Sequence, residues 1–176
     1  MKFVVTGLIR EAVARHADFI AQSEADEIAV ASSACGEERQ ASMARLTSAF
    51  AGIANPDELS TWLETHLKVF FSVDEWVSAI GHYDFVYGTR FHGCVVALRE
   101  AVPSLVICHD TRTTEMCEFL GIPHVRLSEI QSVAADELYA RADFPAFERR
   151  YAELFCQYRR FLEENGLRHR LAPTAP

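Results

Sequence analysis

Short apolar runs alternate with amphipathic stretches along the last two-thirds of the chain. The runs at 84–87 and 104–108 are apolar on both faces, which is typical of strands buried in a parallel sheet. Pro103 blocks continuation of the helix before it, and Asp110 is a good N-cap for the helix after it. The whole pattern predicts strands at 68–71, 84–87, 104–108 and 123–127, and helices at 73–80, 92–101, 111–120 and 145–164.

The first third of the chain has a weaker pattern. We expect helices over about 8–16 and 39–51, and another that starts at Asn55, because Pro56 suits the first helical position. The apolar run 26–31 is predicted to be a strand. Three apolar residues of the second helix should face inward, namely Met43, Leu46 and Phe50.

Strands and helices spaced in this way imply right-handed crossovers and a mainly parallel sheet with helices on both faces. We therefore predict an α/β fold, a Rossmann-like three-layer domain. No stretch is rich enough in Gly, Ser or Pro to be a linker, so residues 1–176 are expected to form a single domain. The predicted C-terminal helix ends at Asn165-Gly166, and residues 167–176 are expected to be a frayed tail.

Composition narrows the class of protein. The 176 residues include 17 basic and 25 acidic side chains, a net charge of −8, which argues against a nucleic-acid partner and a polybasic membrane anchor. No signal-peptide core and no apolar run of membrane-spanning length occurs. The five cysteines have no zinc-finger or C-x-x-C spacing, so we expect structural thiols in a soluble, cytoplasmic protein: Cys35, Cys94, Cys108, Cys117 and Cys156.

The segment Gly88–Gly93 is the first candidate for chemistry. It joins a strand end to a helix start, where unpaired N–H groups and the helix dipole favour an anion. Gly88 and Gly93 let the backbone approach a ligand, Arg90 offers a planar cation, and His92 suits acid–base work near neutral pH. The alternative is structural, with the arginine paired to a local carboxylate and the histidine bonded to backbone.

The segment His109–Arg112 repeats this layout at the next strand end. Asp110 could accept a hydrogen bond from a sugar or ribose hydroxyl, and Arg112 could hold an anionic group. The alternative is a helix N-cap beside a surface arginine. Arg126 and Glu129 follow the last predicted strand and could line the same rim. In parallel sheets ligands bind beyond the carboxyl ends of the strands, so both segments are expected at one edge.

These motifs resemble the polysaccharide pyruvyl transferase family. The resemblance rests on Asp84–Gly93, which contains Arg90-Phe91-His92-Gly93, and on several shorter matches downstream; it is good over 68–127 and loose over 8–67. The shorter matches are Ala97-Leu98, Val102-Pro103, Asp110-x-Arg112 and Leu120-Gly121-Ile122-Pro123. It implies one half of a GT-B-like fold. Typical members are about twice as long, so we expect the C-terminal half of such an enzyme, or a stand-alone homologue.

The resemblance also implies an activity, the transfer of the enolpyruvyl group of phosphoenolpyruvate to a sugar hydroxyl to form a pyruvate ketal in a cell-surface polysaccharide. Arg90 would bind the donor and His92 would be the acid–base catalyst, without a metal or organic cofactor. The remaining substrate-binding residues would be Gly88, Thr89, Gly93, Asp110 and Arg112. The partners would be phosphoenolpyruvate and a sugar, lipid-linked or polysaccharide acceptor.

Two other functions stay open on the sequence alone. One is half of a GT-B-like glycosyltransferase, in which Asp110 and Arg112 would hold the ribose and diphosphate of a nucleotide sugar. The other is a Rossmann-like binding or oligomerisation module without catalysis. Self-association into a homo-oligomer is open in each case.

Overall fold

The structure, a computed structural model, describes residues 2–22, 24–32 and 36–172. The chain divides into two compact units. The first comprises Met1–His82 with Gln131–Glu137, and the second comprises Tyr83–Ile130 with Leu138–Pro176. Each unit has a parallel sheet of its own. The predicted organisation of 1–176 as a single domain stays a prediction.

The first unit is mostly helical, and its two short strands pair in parallel. Phe19 lies opposite Leu67 in this small sheet. Around it the helices bury a core that includes Ile9, Leu59 and Trp62, each 3% exposed or less. The elements of this unit are α1 (Lys2–Arg15), β1 (Phe19–Ile20), α2 (Ala25–Ala31), α3 (Glu37–Ala49), α4 (Pro56–His66), β2 (Leu67–Lys68) and α5 (Val73–Ile80).

The strand predicted at 26–31 is wrong, because this run forms helix α2. Asp26 lies in the first turn of α2, where a negative charge complements the helix dipole. Its carboxylate accepts hydrogen bonds from Ser42 Oγ at 3.0 Å and from Arg45 Nη2 at 2.6 Å, both on α3. These tertiary contacts fix the helix, and a short apolar run cannot by itself distinguish a buried strand from a buried helix.

Two further strand predictions are misplaced. The run 68–71 contributes only Lys68 to β2, and Phe71 is 75% exposed. The run 84–87 gives a strand over Val86–Gly88, because pairing with the next strand begins at Val86. The Phe85 ring instead stacks on Tyr87, with 5.2 Å between ring centroids.

The second unit contains a three-stranded parallel sheet of order β3-β4-β5. All five residues of the central strand β4 are buried, so both of its faces are covered. On one face Val106 and Cys108 pack with Cys94, Cys117 and Ile122. The elements are β3 (Val86–Gly88), α6 (Phe91–Arg99), β4 (Ser104–Cys108), α7 (Thr111–Leu120), β5 (His124–Arg126), the last part of α8 (Ala135–Arg141), and α9 (Phe144–Glu164).

Helix ends in the second unit follow the sequence closely. The Asp143 side chain caps α9 by accepting from the Ala146 N–H at 2.9 Å. Gly121 ends α7 with φ +71°, and a Cβ there would lie 2.6 Å from Cγ of Arg150, so only glycine fits. The predicted C-terminal helix at 145–164 is confirmed. In the predicted tail, 167–172 form neither helix nor strand, and 173–176 lie outside the described residues.

The chain is therefore an α/β protein with parallel strands, as predicted, and its second unit has the strand–helix–strand succession of Rossmann-like three-layer domains. Within the described part of the chain the strands belong to two small sheets, whereas one sheet was expected. Among the helices of the described ranges, none combines the length and the apolar composition needed to cross a membrane.

Candidate active site

Two loops leave the same edge of the three-stranded sheet. Gly88, the last residue of β3, lies opposite Val106 of the parallel strand β4, which continues to Cys108. Thr89-Arg90 follow the first strand and His109-Asp110 follow the second, so both loops begin at the carboxyl end of the sheet. Ligands of open α/β sheets bind in this position.

The first loop delivers Arg90 and His92 to the N-terminus of α6. Arg90 is the extended N-cap residue, and His92 lies in the first helical turn; both are exposed. The His92 ring meets the Phe91 ring edge-on, with centroids 6.0 Å apart. The Arg90 side chain does not cap this helix, so the positive end of the helix can attract an anion. Gly93 is buried in the same turn.

Space around Gly88 is open. A Cβ built there would meet no atom of the described residues within 4 Å, and the glycine does not have a positive φ. Neither packing nor backbone strain therefore requires a glycine at this position. Thr89 beside it is half-buried. The open space is compatible with a ligand that approaches the backbone closely.

In the second loop, a carboxylate of the protein itself occupies the N-terminus of a helix. Asp110 is the N-cap of α7, and its Oδ1 accepts from the Thr113 N–H at 2.6 Å. That backbone hydrogen bond, then the Thr113 hydroxyl and the charges of His109 and Arg112, keep the pKa of Asp110 below its usual value. The other carboxylate oxygen lies 3.6 Å from His109 Nε2. The helix-cap alternative is thus confirmed for Asp110, and Arg112 is an exposed residue of the first turn.

An open pocket of about 700 Å³ lies beyond β4 and β5. Arg126 reaches it from β5 and pairs with Glu118 of α7 at 2.7 Å. The lining is rich in carboxylates and hydroxyls: Cys108, His109, Asp110, Thr111, Thr114, Glu115, Glu118, Arg126, Leu127 and Ser128. Arg90, His92 and Arg112 lie outside this lining, so the structure gathers only part of the predicted set into the pocket.

A sequence model of the polysaccharide pyruvyl transferase family matches residues 14–111, more than half of the chain. The chain belongs to the polysaccharide pyruvyl transferase family. No curated protein and no solved structure matches it. The match includes both loops up to Thr111, and it begins well before the region in which the sequence resemblance is good. In this pyruvyl transferase family member, Arg112 and the residues of β5 lie outside the matched range.

Sequence reasoning missed most of the pocket lining in this pyruvyl transferase family member. Thr114 and Glu118 lie four residues apart on one side of α7, and Thr114 Oγ1 donates to the Asp110 carbonyl at 2.9 Å. Thr114 and Glu118 could have been found from the sequence, because they follow Asp110 at intervals of four residues, which places them on its side of the helix. Arg126 was expected at the rim and does line the pocket, whereas Glu129 lies 3.9 Å from Arg141.

The cysteines of the second unit are structural where they are buried. Cys94, Cys108 and Cys117 are free thiols at 3% exposure or less, as expected. Burial raises the pKa of each, that of Cys94 to about 11, which disfavours the nucleophilic thiolate. Cys156 is exposed on α9, and Cys35 lies outside the described residues. Within the described ranges no group of three or more potential ligands could hold a metal ion.

Replacing Asp110 by alanine should lower the urea midpoint of unfolding near neutral pH, because α7 loses its cap. A carboxylate with a lowered pKa stabilises the fold fully above its ordinary value, about 3.9, and this stabilisation is lost as the pH falls through the lowered value. The difference in urea midpoint between the wild type and Asp110→Ala should therefore shrink as the pH falls below the ordinary value. Asp84→Ala, which removes an exposed carboxylate before β3, is the control. A difference that is constant with pH would contradict the charged cap.

Proposed function

We propose that this protein transfers the enolpyruvyl group of phosphoenolpyruvate to a sugar hydroxyl and forms a pyruvate ketal on a cell-surface or exopolysaccharide unit. The observation that carries the proposal is the position of Arg90 and His92. They lie together at the N-terminus of α6, at the carboxyl edge of a parallel sheet and inside the range that matches the family. A cation, a helix end and an acid–base group are what this donor requires.

The donor is assigned to the end of α6 rather than to the end of α7. Phosphoenolpyruvate carries a carboxylate and a phosphate, and in a chain with a net charge of −8 it needs local cations. Arg90 and the N-terminal N–H groups of α6, which the Arg90 side chain does not cap, supply positive potential. At α7 the Asp110 carboxylate occupies the helix end and would repel the donor. Gly88 and Thr89 would contact the donor beside Arg90, and Gly93 would let it approach the first turn.

The first step of the proposed reaction is a proton transfer. His92 gives its proton to C3 of phosphoenolpyruvate, which becomes a methyl group and leaves C2 electron-poor. A sugar hydroxyl oxygen adds to C2 and returns its proton to His92. The bond between C2 and the phosphate oxygen then breaks, phosphate leaves, and a second hydroxyl of the same sugar closes the ketal. That hydroxyl's proton ends on phosphate, so the scheme uses no metal or organic cofactor.

The acceptor is a sugar, free or as part of a lipid-linked or polysaccharide unit. Its hydroxyls suit the second loop, where the Asp110 oxygen that faces His109 can accept a hydrogen bond and Arg112 can donate one. We further propose that the two loops form one side of a GT-B-like cleft. We place the protein in the cytoplasm, where thiols stay reduced, and its free cysteines support this location.

Isothermal titration with phosphoenolpyruvate tests the donor site. Arg90→Ala should weaken binding roughly tenfold or more, since it removes charge-assisted hydrogen bonds to an anion. Arg99→Ala is the matched control: this arginine lies at the other end of α6, is exposed and contacts Glu100 at 3.5 Å. Binding that is equal in wild type and Arg90→Ala would remove the assignment. Tight binding of nucleoside diphosphates instead would favour the glycosyltransferase alternative.

A further inference from the structure

The pocket beyond β4 and β5 has a lining in which polar and apolar groups surround one open space. Carboxylates and hydroxyls come from α7 and from the residues around the end of β5, while Cys108 and Leu127 add apolar surface. Its volume of about 700 Å³ lies in the range of small-molecule sites, where a few polar groups orient a ligand. A sugar ring has the matching surface, because hydroxyls lie around its edge and C–H groups form its apolar faces.

The ion pair between Arg126 and Glu118 suits hydroxyl groups. Arg126 Nη2 donates to Glu118 Oε1 at 2.7 Å, which links the end of β5 to α7 at the wall of the pocket. A guanidinium has further N–H donors and a carboxylate has a second oxygen, so the two groups can hold each other and still bond a ligand. A donor beside an acceptor is what two neighbouring sugar hydroxyls need, since each hydroxyl both donates and accepts.

The charge of the lining discriminates among sugars. Among the lining residues that the structure describes, Asp110, Glu115 and Glu118 carry carboxylates, and Arg126 is the arginine. Because Glu118 already pairs with Arg126, the pocket keeps an excess of negative charge, in a chain whose net charge is −8. This field repels a carboxylate or a phosphate. Hydroxyl groups, in contrast, donate charge-assisted hydrogen bonds to the same carboxylates.

The pocket lies one strand away from the donor end of the sheet. Gly88 at the end of β3 lies opposite Val106 of β4, and Cys108 at the end of β4 lies opposite Arg126 of β5. Neighbouring strands are about 4.8 Å apart, so the strand ends share one short edge. A sugar in the pocket beyond β4 and β5 can therefore direct a hydroxyl toward a donor that is bound beyond β3.

We propose that this pocket is the acceptor subsite and that it takes an uncharged sugar unit, with Glu118 and Arg126 bonding two neighbouring hydroxyls. That the sugar is an acceptor rests on the proposed function. The carboxylates of the lining exclude acidic sugars such as uronic acids. In a lipid-linked acceptor, the phosphates must lie outside the lining and only the sugar enters.

Saturation-transfer NMR with two methyl glycosides, a neutral hexoside and the matching uronic acid, tests the pocket. Wild type should transfer saturation to the hexoside and little to the uronic acid. Glu118→Gln should weaken hexoside binding about three- to tenfold, because it removes a charge-assisted hydrogen bond. It should also bind the uronic acid better than wild type does, because Arg126 loses its counter-charge. A variant that is merely less stable would not gain affinity for an acidic sugar.

Glu64→Gln is the matched control. Like Glu118, Glu64 is a half-exposed glutamate on a helix and lies near an arginine, with Arg39 at 3.8 Å, but it lines a pocket of the first unit. This variant should keep the preference of the wild type. The proposal is overturned if wild type binds neither sugar, or binds both equally, or if Glu118→Gln leaves both affinities unchanged.

Turnover measurements separate this proposal from the proposed function. If phosphoenolpyruvate binds and phosphate release requires a sugar, but Glu118→Gln does not change the Michaelis constant for the hexoside, the reaction stands and the pocket assignment is wrong. If the hexoside binds in a manner that needs Glu118, but phosphoenolpyruvate does not bind, the site for an uncharged sugar stands and the proposed transfer is wrong.

Discussion

Replacing His92 by alanine should lower the turnover number of the pyruvyl transfer by about 10²- to 10⁴-fold, the usual contribution of a positioned general acid. The Michaelis constant for phosphoenolpyruvate should change little, because Arg90 and the end of α6 remain to bind the donor. Release of inorganic phosphate from phosphoenolpyruvate, in the presence of the sugar acceptor, is the measurement. The substitution should therefore slow the chemical step and leave binding of the donor almost unchanged.

The His92 side chain is exposed, and this makes a second readout feasible. Added imidazole can reach the space left by His92→Ala and should restore part of the lost rate, which it would not do for a variant that is merely unstable. His109→Ala is the matched control, since His109 lies at the same sheet edge but lines the pocket beyond β4. If His109→Ala loses turnover and His92→Ala retains it, the acid belongs to the second loop and the proposed mechanism is wrong.

The elements predicted best from the sequence are those whose neighbouring residues mark where they begin and end. Strand β4 was predicted at its observed limits, because Pro103 stops the preceding helix, five apolar residues follow, and Asp110 caps the next helix. Helix α2 was missed for the opposite reason. Its run Ile28–Ala31 fits a buried strand as well as a helix, and the residue that decides, Arg45, lies on another helix.

The candidate site divides in the same way. Gly88–Gly93 could be selected because glycines, a cation and a histidine occur together in the chain at a strand-to-helix junction. The capping role of Asp110 could also be expected from its position before α7. The pairing of Arg126 with Glu118 could not, because it depends on the place of β5 beside β4, which brings separated residues to 2.7 Å. Arg126 itself was expected at the rim, because it follows the last predicted strand, whereas its partner Glu118 was not.

Replacing Ile107 by alanine should destabilise the protein by about 2–5 kcal/mol, a large share of the roughly 5–15 kcal/mol that stabilises a typical domain. Ile107 is 0% exposed in the central strand β4, so truncation loses buried apolar area and leaves a cavity. Ile107→Val should cost about 0.5–1.5 kcal/mol and keeps the test informative if the alanine variant does not fold. Val73→Ala, at a residue that is 64% exposed, should change stability little.

The Ile107 variants also test the predicted single-domain organisation. Both tryptophans, Trp62 and Trp76, belong to the first unit, whereas Ile107 belongs to the second. If residues 1–176 unfold as one cooperative domain, tryptophan fluorescence and far-ultraviolet circular dichroism should give the same urea midpoint, lowered equally by the substitution. A fluorescence midpoint that stays at the wild-type value while the circular dichroism midpoint falls would mean that the units unfold independently. The single-domain prediction would then be wrong, and each unit would have to be stabilised by its own core.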